Sequence, residues 1–191
     1  CEDRRHIRDV DMHRLKAEVA LPLNFEMAAT EEMLKLALAI KPNACCLVPE
    51  KREERTTEGG LDVAGQEAYL LDYCAKLKES GIRTSLFIDP VPEQLQAAAR
   101  LGSDIVELHT GAYAAGRNEL PNLQRAAKLA HSLGLEVHAG HGLTFDNVGP
   151  ITAIPELVEL NIGHFLIGEA VMMGLPEAIR QMRHRMDEAR P

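Results

Sequence analysis

Ile105-Val106-Glu107-Leu108-His109-Thr110-Gly111 is the stretch on which the fold turns. Its first five residues alternate. Ile105, Glu107 and His109 share one parity, and Val106 and Leu108 share the other, so a strand would put the glutamate on one face and the apolar pair on the opposite one. A glutamate among such neighbours must face a polar lumen or find a partner. His109 has the parity of Glu107 and is a candidate partner for it; the bland alternative is a satisfied core histidine.

Further strand-like runs flank this one and end in polar groups: Val19 to Glu26, Ala44 to Val48 with Glu50 beyond, Thr84 to Ile88 before Asp89, and Glu136 to Ala139 before His141. Leu157 to Ile162 is expected as a sixth strand. Helical patterns separate them. Thr30 precedes the acidic pair Glu31-Glu32, an N-cap followed by charges that suit the helix dipole. Pro92 opens another helix. Further helices are expected from Asp9 to about Lys16, Gly65 to Ser80, Leu120 to Leu133, Asn147 to about Ile154 and Pro176 to Ala189. His164 to Met172 fits either a strand or a short helix. Strands alternating with helices mean an α/β protein with a parallel sheet. An open sheet gathers ligands at one switch point, whereas a barrel aims the C-terminal end of every strand at one site. Polar groups at nearly every strand end favour the (β/α)8 TIM barrel. Such a barrel has eight strands, so six strands behind a leading helix are expected to be one lacking its first strand, first helix and second strand at the N-terminus. The whole of residues 1–191 is expected to be that single domain, poorly soluble on its own because two sheet edges stay unpaired.

The composition narrows the function classes. The chain has 191 residues, 46% of them hydrophobic, and a formal net charge of −8, which argues against a nucleic-acid surface. No apolar run approaches the roughly 20 residues of a membrane-spanning helix. Cys1, Cys45, Cys46 and Cys74 form no CxxC motif, and Cys45-Cys46 sit in an apolar run, a usage expected of the reducing cytoplasm.

The candidate chemistry lies at the strand ends. Glu26 is either a solvated carboxylate or a general base at a barrel mouth. Glu107 is a lumen carboxylate. His138 and His141 could join Glu26 or Glu107 around zinc, although their spacing matches no specific ligand motif. Gly140 and Gly142 flank His141 and would let an anion approach backbone N–H groups. Gly163-His164 follows the last strand; if a helix starts there, its free N–H groups make a phosphate site. The charged loop from Val48 to Leu61 is long for a strand-to-helix connection and carries hydroxyls and two glycines, which suit a lid or anion site.

Seven stretches, in order and covering nearly the whole chain, carry a resemblance: EDRRHI (2–7), NFEMAATEEML (24–34), CCLVPEKREERTTEGGLDVAGQ (45–66), SLFID (85–89), IVELHTGAYA (105–114), HAGHGLTFDNV (138–148) and ELNIGHFLIGEAVMMGL (159–175). Together they resemble the pyridoxine 5′-phosphate synthase family of the deoxyxylulose-dependent vitamin B6 route. The resemblance implies a (β/α)8 barrel enzyme that condenses 1-deoxy-D-xylulose 5-phosphate with 3-amino-2-oxopropyl phosphate. It also implies no metal or organic cofactor, small phosphorylated substrates as partners, and a homo-oligomer. Carried over by position, it implies that Glu26 is the general base, His141 the proton donor and Glu107 the transition-state stabiliser. His6 and Thr56 would bind the deoxyxylulose phosphate; Gly142, Gly163 and His164 would bind the aminoketone phosphate. Cys1 and Glu169 stand where the family carries arginines. A non-catalytic phosphate-binding relative and another phosphate-handling aldolase or isomerase barrel are the alternatives.

Overall fold

The computed structural model describes residues 7–49 and 59–190. Six strands form one parallel sheet: β1 (Asn24–Ala28), β2 (Ala44–Val48), β3 (Arg83–Ile88), β4 (Ile105–His109), β5 (Glu136–Gly140) and β6 (Leu157–Asn161). Their spatial order is their chain order, so each strand pairs with the one before it. A doubly wound sheet would reverse direction at a switch point; this one never does. It is a TIM-barrel-like arrangement, with β1 and β6 as its two edges.

Helices follow the strands. They are α1 (Asp9–Glu18) ahead of the sheet, then α2 (Glu31–Ile40), α3 (Glu67–Glu79), α4 (Pro92–Arg100), α5 (Gly111–Ala114), α6 (Leu120–Ser132), α7 (Val148–Thr152), α8 (His164–Met173) and α9 (Leu175–Ala189). Thr30 caps α2 as its sequence predicts, its hydroxyl accepting the Met33 N–H at 3.3 Å. The segment from His164 resolves as a helix.

Two expectations need correction. The first strand begins at Asn24, not at Val19. Val19 caps the end of α1, and Pro22, which has no N–H, cannot join a ladder. Asn43 secures the entry instead: its side-chain oxygen accepts the Leu23 N–H at 2.8 Å. The short helix α5 is a further element that the sequence pattern does not predict. It begins two residues after β4 ends, too short a span for helical periodicity to register.

The two faces of the sheet differ in chemistry. Phe25, Met27, Cys45, Leu47, Leu86, Ile88, Val106, Leu108, Val137 and Ala139 are buried in the apolar core with α2, α3, α4 and α6. The alternate positions carry Glu26, Cys46, Glu107, His109, His138 and Asn161. The reading of IVELH extends along β1 to β5: the apolar positions named above pack on the helices, and the opposite positions, Glu26, Cys46, Glu107 and His109 among them, face the lumen.

Apolar surface also remains on the outside. Among the described residues, Val171 and Met172 of α8 are 81% and 86% exposed, and Ile167 and Val158 are exposed as well. With sheet edges at β1 and β6 besides, the 191-residue chain by itself is expected to self-associate. A single monodisperse monomer peak on a sizing column, with a sharp melt, would contradict that.

Candidate active site

The lumen side chains converge at the C-terminal ends of the strands on a cleft of about 1110 Å³. Glu26, Glu107, His141, Gly142, Gly163 and His164 all line it. Six of the eight site residues inferred from the sequence are thus brought together. The other two, His6 and Thr56, lie outside the described residues. Glu169 lies in α8 and does not line the cleft.

Glu107 sits at the floor, 6% exposed. Asn161 Nδ2 donates to its Oε2 at 2.8 Å, and the Cys46 thiol donates to the same oxygen at 3.4 Å. Burial is the main influence on this carboxyl and raises its pKa, with the negative charges of Glu26 and Glu159 adding to the effect and the two hydrogen bonds opposing it. The result is a pKa of about 7 in place of the ordinary 4.5. Burial, reinforced by the Glu107 charge, pushes the Cys46 thiol up as well, so it stays a proton donor. Glu26 is the neighbour of Cys46 in the β1–β2 register and stands exposed in the cleft. Two carboxyls at one site therefore meet opposite environments.

His109 is not the partner of Glu107. Its Nδ1 faces Asp89 Oδ1 at 3.0 Å, across the ends of β3 and β4. The true partners, Cys46 and Asn161, come from two other strands. Parity could have placed both on the lumen face, but nothing local marks which of them reaches a carboxylate 54 or 61 residues away in sequence.

His138 belongs to a different layer. It is 3% exposed, with Nε2 2.8 Å from Glu136 Oε1 and Nδ1 3.4 Å from Glu159 Oε1. Glu136 in turn pairs with Arg83 at 2.8 Å, so these four charged or polar groups brace the lumen away from the cleft. The zinc set of His138 and His141 with a glutamate is not assembled: His138 Nε2 pairs with Glu136, and the ring does not line the cleft that His141 borders. Among the described residues, no three His, Cys, Asp or Glu side chains are grouped to hold a metal ion.

His141 has a backbone φ of +85°, and Gly142 follows at +79°. Glycine adopts such angles freely; a histidine held there stores on the order of 1–3 kcal/mol of strain. Thr110 holds the turn in place. It is fully buried, and its hydroxyl lies 2.6 Å from the carbonyl oxygens of both Gly140 and His141. Its N–H also donates to the Gly140 carbonyl at 2.9 Å. Farther along, Asn147 accepts the Thr144 N–H at 2.7 Å and donates to the Gly142 carbonyl at 3.3 Å. The His141 ring packs edge-on to His109, with centroids 5.1 Å apart.

Across the cleft, Gly163 is the N-cap of α8, and His164 is its first residue. No side chain caps this end. The first N–H groups of a ten-residue helix, with the positive end of its dipole, thus border the same cleft as Gly142. The arrangement can bind a phosphate there and move protons among Glu26, Glu107 and His141.

Comparison with known proteins agrees with this geometry. The family model for the pyridoxal phosphate biosynthesis protein PdxJ matches residues 1–188. A protein of Xanthobacter autotrophicus named pyridoxine 5′-phosphate synthase is 62% identical over 191 residues, covering 95% of this chain and 74% of that protein. Proteins of the same name from Ruegeria pomeroyi and Zymomonas mobilis are 58% and 59% identical, covering 99% of this chain in both cases and 80% and 76% of those proteins. Among solved structures, the citrate synthase SbnG superposes with a TM-score of 0.52 over 93% of this chain and 78% of that one, at 9% identity, which is a likeness of fold alone.

The Glu107 environment sets a pH dependence. Its pKa is raised in the folded chain, so between pH 4.5 and about 7 the folded state binds more protons than the unfolded one, and stability falls as pH rises through that window. Glu107→Gln removes the cost. At pH 8 the variant should be more stable by up to about 3 kcal/mol, with the gap closing near pH 4, as read from denaturant melts. Thr110→Val should cost about 1–3 kcal/mol by leaving the His141 carbonyl without its buried donor, whereas Thr110→Ser should retain most of the stability. Equal melting of the Val and Ser variants would show that the hydroxyl carries no strain.

Proposed function

Since the chain belongs to the family of the pyridoxal phosphate biosynthesis protein PdxJ, we propose that it is a pyridoxine 5′-phosphate synthase working by acid–base catalysis. It condenses 1-deoxy-D-xylulose 5-phosphate with 3-amino-2-oxopropyl phosphate, releasing pyridoxine 5′-phosphate, inorganic phosphate and water. The observation that carries this reading is the pairing of a carboxyl held near neutrality, Glu107, with an exposed carboxylate, Glu26, on one cleft that also holds His141 and a helix N-terminus.

The chemistry follows from these environments. Ring formation needs an imine, proton removal next to carbonyls, and expulsion of water and phosphate. Glu26 is the base that removes a proton, since it is exposed to the cleft volume where substrate would sit. His141 delivers a proton to the departing oxygen, and the strained turn fixes where its ring enters the cleft. Glu107, with a pKa of about 7, is protonated part of the time at neutral pH and can donate a hydrogen bond to a developing oxyanion. Gly142 and the Gly163-His164 helix start bind the aminoketone phosphate, and His6 and Thr56 bind the deoxyxylulose phosphate. The atoms balance without an oxidant or reductant, so no cofactor is invoked.

The same proposal covers the setting. Residues 1–191 act as one barrel domain, in the cytoplasm, as part of a homo-oligomer, on small phosphorylated substrates and not on nucleic acid. No helix among the described residues is long and apolar enough to cross a membrane.

The test is product formation. The chain is incubated with both phosphorylated substrates, and pyridoxine 5′-phosphate is sought by mass. Glu26→Gln and His141→Asn should each lower turnover by about 10²- to 10⁴-fold while the fold is kept. Wild-type turnover in either variant would remove that residue from its role, and no product from the unsubstituted chain would count against the activity.

A further inference from the structure

His109 is a buried titratable group that the proposed chemistry leaves unused. It ends β4 and is 7% exposed. Nδ1 meets Asp89 Oδ1 at 3.0 Å, while Nε2 is sealed from solvent with no hydrogen-bond partner among the described residues. An imidazole in a core normally satisfies both nitrogens, since a buried polar atom left unpaired costs free energy that a phenyl ring of similar size would avoid. The surroundings of the ring indicate its purpose. It lies edge-on to His141 at a centroid distance of 5.1 Å and an interplanar angle of 66°, and edge-on to Phe87 at 5.0 Å. Gly111 permits this approach: a Cβ there would lie 3.1 Å from His109 Cε1 and 3.2 Å from His141 Cδ2, wedged between the two rings.

Asp89 has a second attachment. The oxygen that faces His109 also accepts the Gly60 N–H at 3.1 Å. Gly60 is packed so tightly on the end of β3 that a Cβ would strike the backbone of Ile88 and Asp89. The aspartate therefore joins the chain entering from the charged loop to the ring that touches His141. The His109 hydrogen bond is the main influence holding the Asp89 carboxyl below its usual range, so Asp89 is an anion.

We infer that Asp89 and His109 are positioning residues for His141: the carboxylate fixes His109 as the tautomer with hydrogen on Nδ1, and the fixed His109 ring sets the angle at which the His141 ring enters the cleft. In this role both act through His141, although His109 also borders the cleft. The carboxylate orients one imidazole, and that imidazole, by edge contact, orients the second. The inference rests on the role proposed for His141, and it deepens that role by naming what aims the ring.

The experiment compares the unsubstituted chain with Asp89→Asn, Asp89→Glu and His109→Phe. It records kcat, KM for both substrates, melting, and the side-chain nitrogen chemical shifts of His109 and His141. The unsubstituted chain should show His109 with its hydrogen on Nδ1. Asp89→Asn and His109→Phe should lower kcat on the order of tenfold or more, with both KM values held within about twofold, because an aimed group has lost its aim while binding survives. Asp89→Glu should recover part of kcat, and the His141 shifts should move in both deficient variants. A His109 that carries its hydrogen on Nε2 in the unsubstituted chain overturns the inference without any variant having to fold. So do unchanged His141 shifts, or a kcat within about twofold of the unsubstituted chain in folded Asp89→Asn and His109→Phe. If the unsubstituted chain makes no product, the proposed activity fails separately, and the nitrogen shifts alone decide this inference.

Discussion

Glu107 enters the lumen from the middle of the sheet and accepts hydrogen bonds there from Asn161 and from the Cys46 thiol. Both donors are neutral, and among the described residues no cation is one of the main influences on the carboxyl. That choice governs the site. An arginine at the same place would hold the carboxyl ionised through the whole physiological range. Burial with two neutral donors leaves it poised near neutrality instead. Glu26, a register step away beside Cys46, then faces an environment that already contains a carboxyl. The sheet supplies this contrast through parallel register alone, since neighbouring strands present their lumen residues side by side.

A second constraint comes from the turn after β5. A strand that ended in an ordinary loop would let His141 swing. Here the histidine is held at a left-handed angle, and a buried threonine from the neighbouring strand end donates its N–H to the carbonyl before that angle and sets its hydroxyl against the carbonyl after it. The strain is local, and the restraint comes from an element packed in the core. This division is typical of sites that keep a reactive group in one orientation before substrate arrives.

Much of this was legible in the residues. Alternation in IVELH gave the two-faced sheet, polar strand ends pointed to a common mouth, and the glycines around His141 marked a special backbone. Two kinds of feature were not legible. The hydrogen-bond partners of Glu107 and His109 come from strands far away in sequence, and parity supplies only a face, not a neighbour: His109 and Glu107 share a face, yet His109 turns to Asp89. The start of β1 was also misplaced, because Val19 and Leu21 read as strand by composition while Pro22 withholds a donor. Nothing in the sequence singles out Thr110; only the three-dimensional convergence of two carbonyls on its hydroxyl gives it a purpose.

Gly140 shows how tightly the site is fitted. A Cβ at that position would run into the Glu107 carboxylate and lie 2.7 Å from the Asn161 carbonyl oxygen. The two positions share one small volume, and the chain has given all of it to the glutamate. Substitution at 140 is therefore not a local event on its own strand. Any side chain there must displace both the buried carboxyl and the backbone of β6, so a shorter acid at 107 would not by itself make room. The glycine on one strand is thus the condition for the glutamate on the next: the room for the acid is made by a side chain left out.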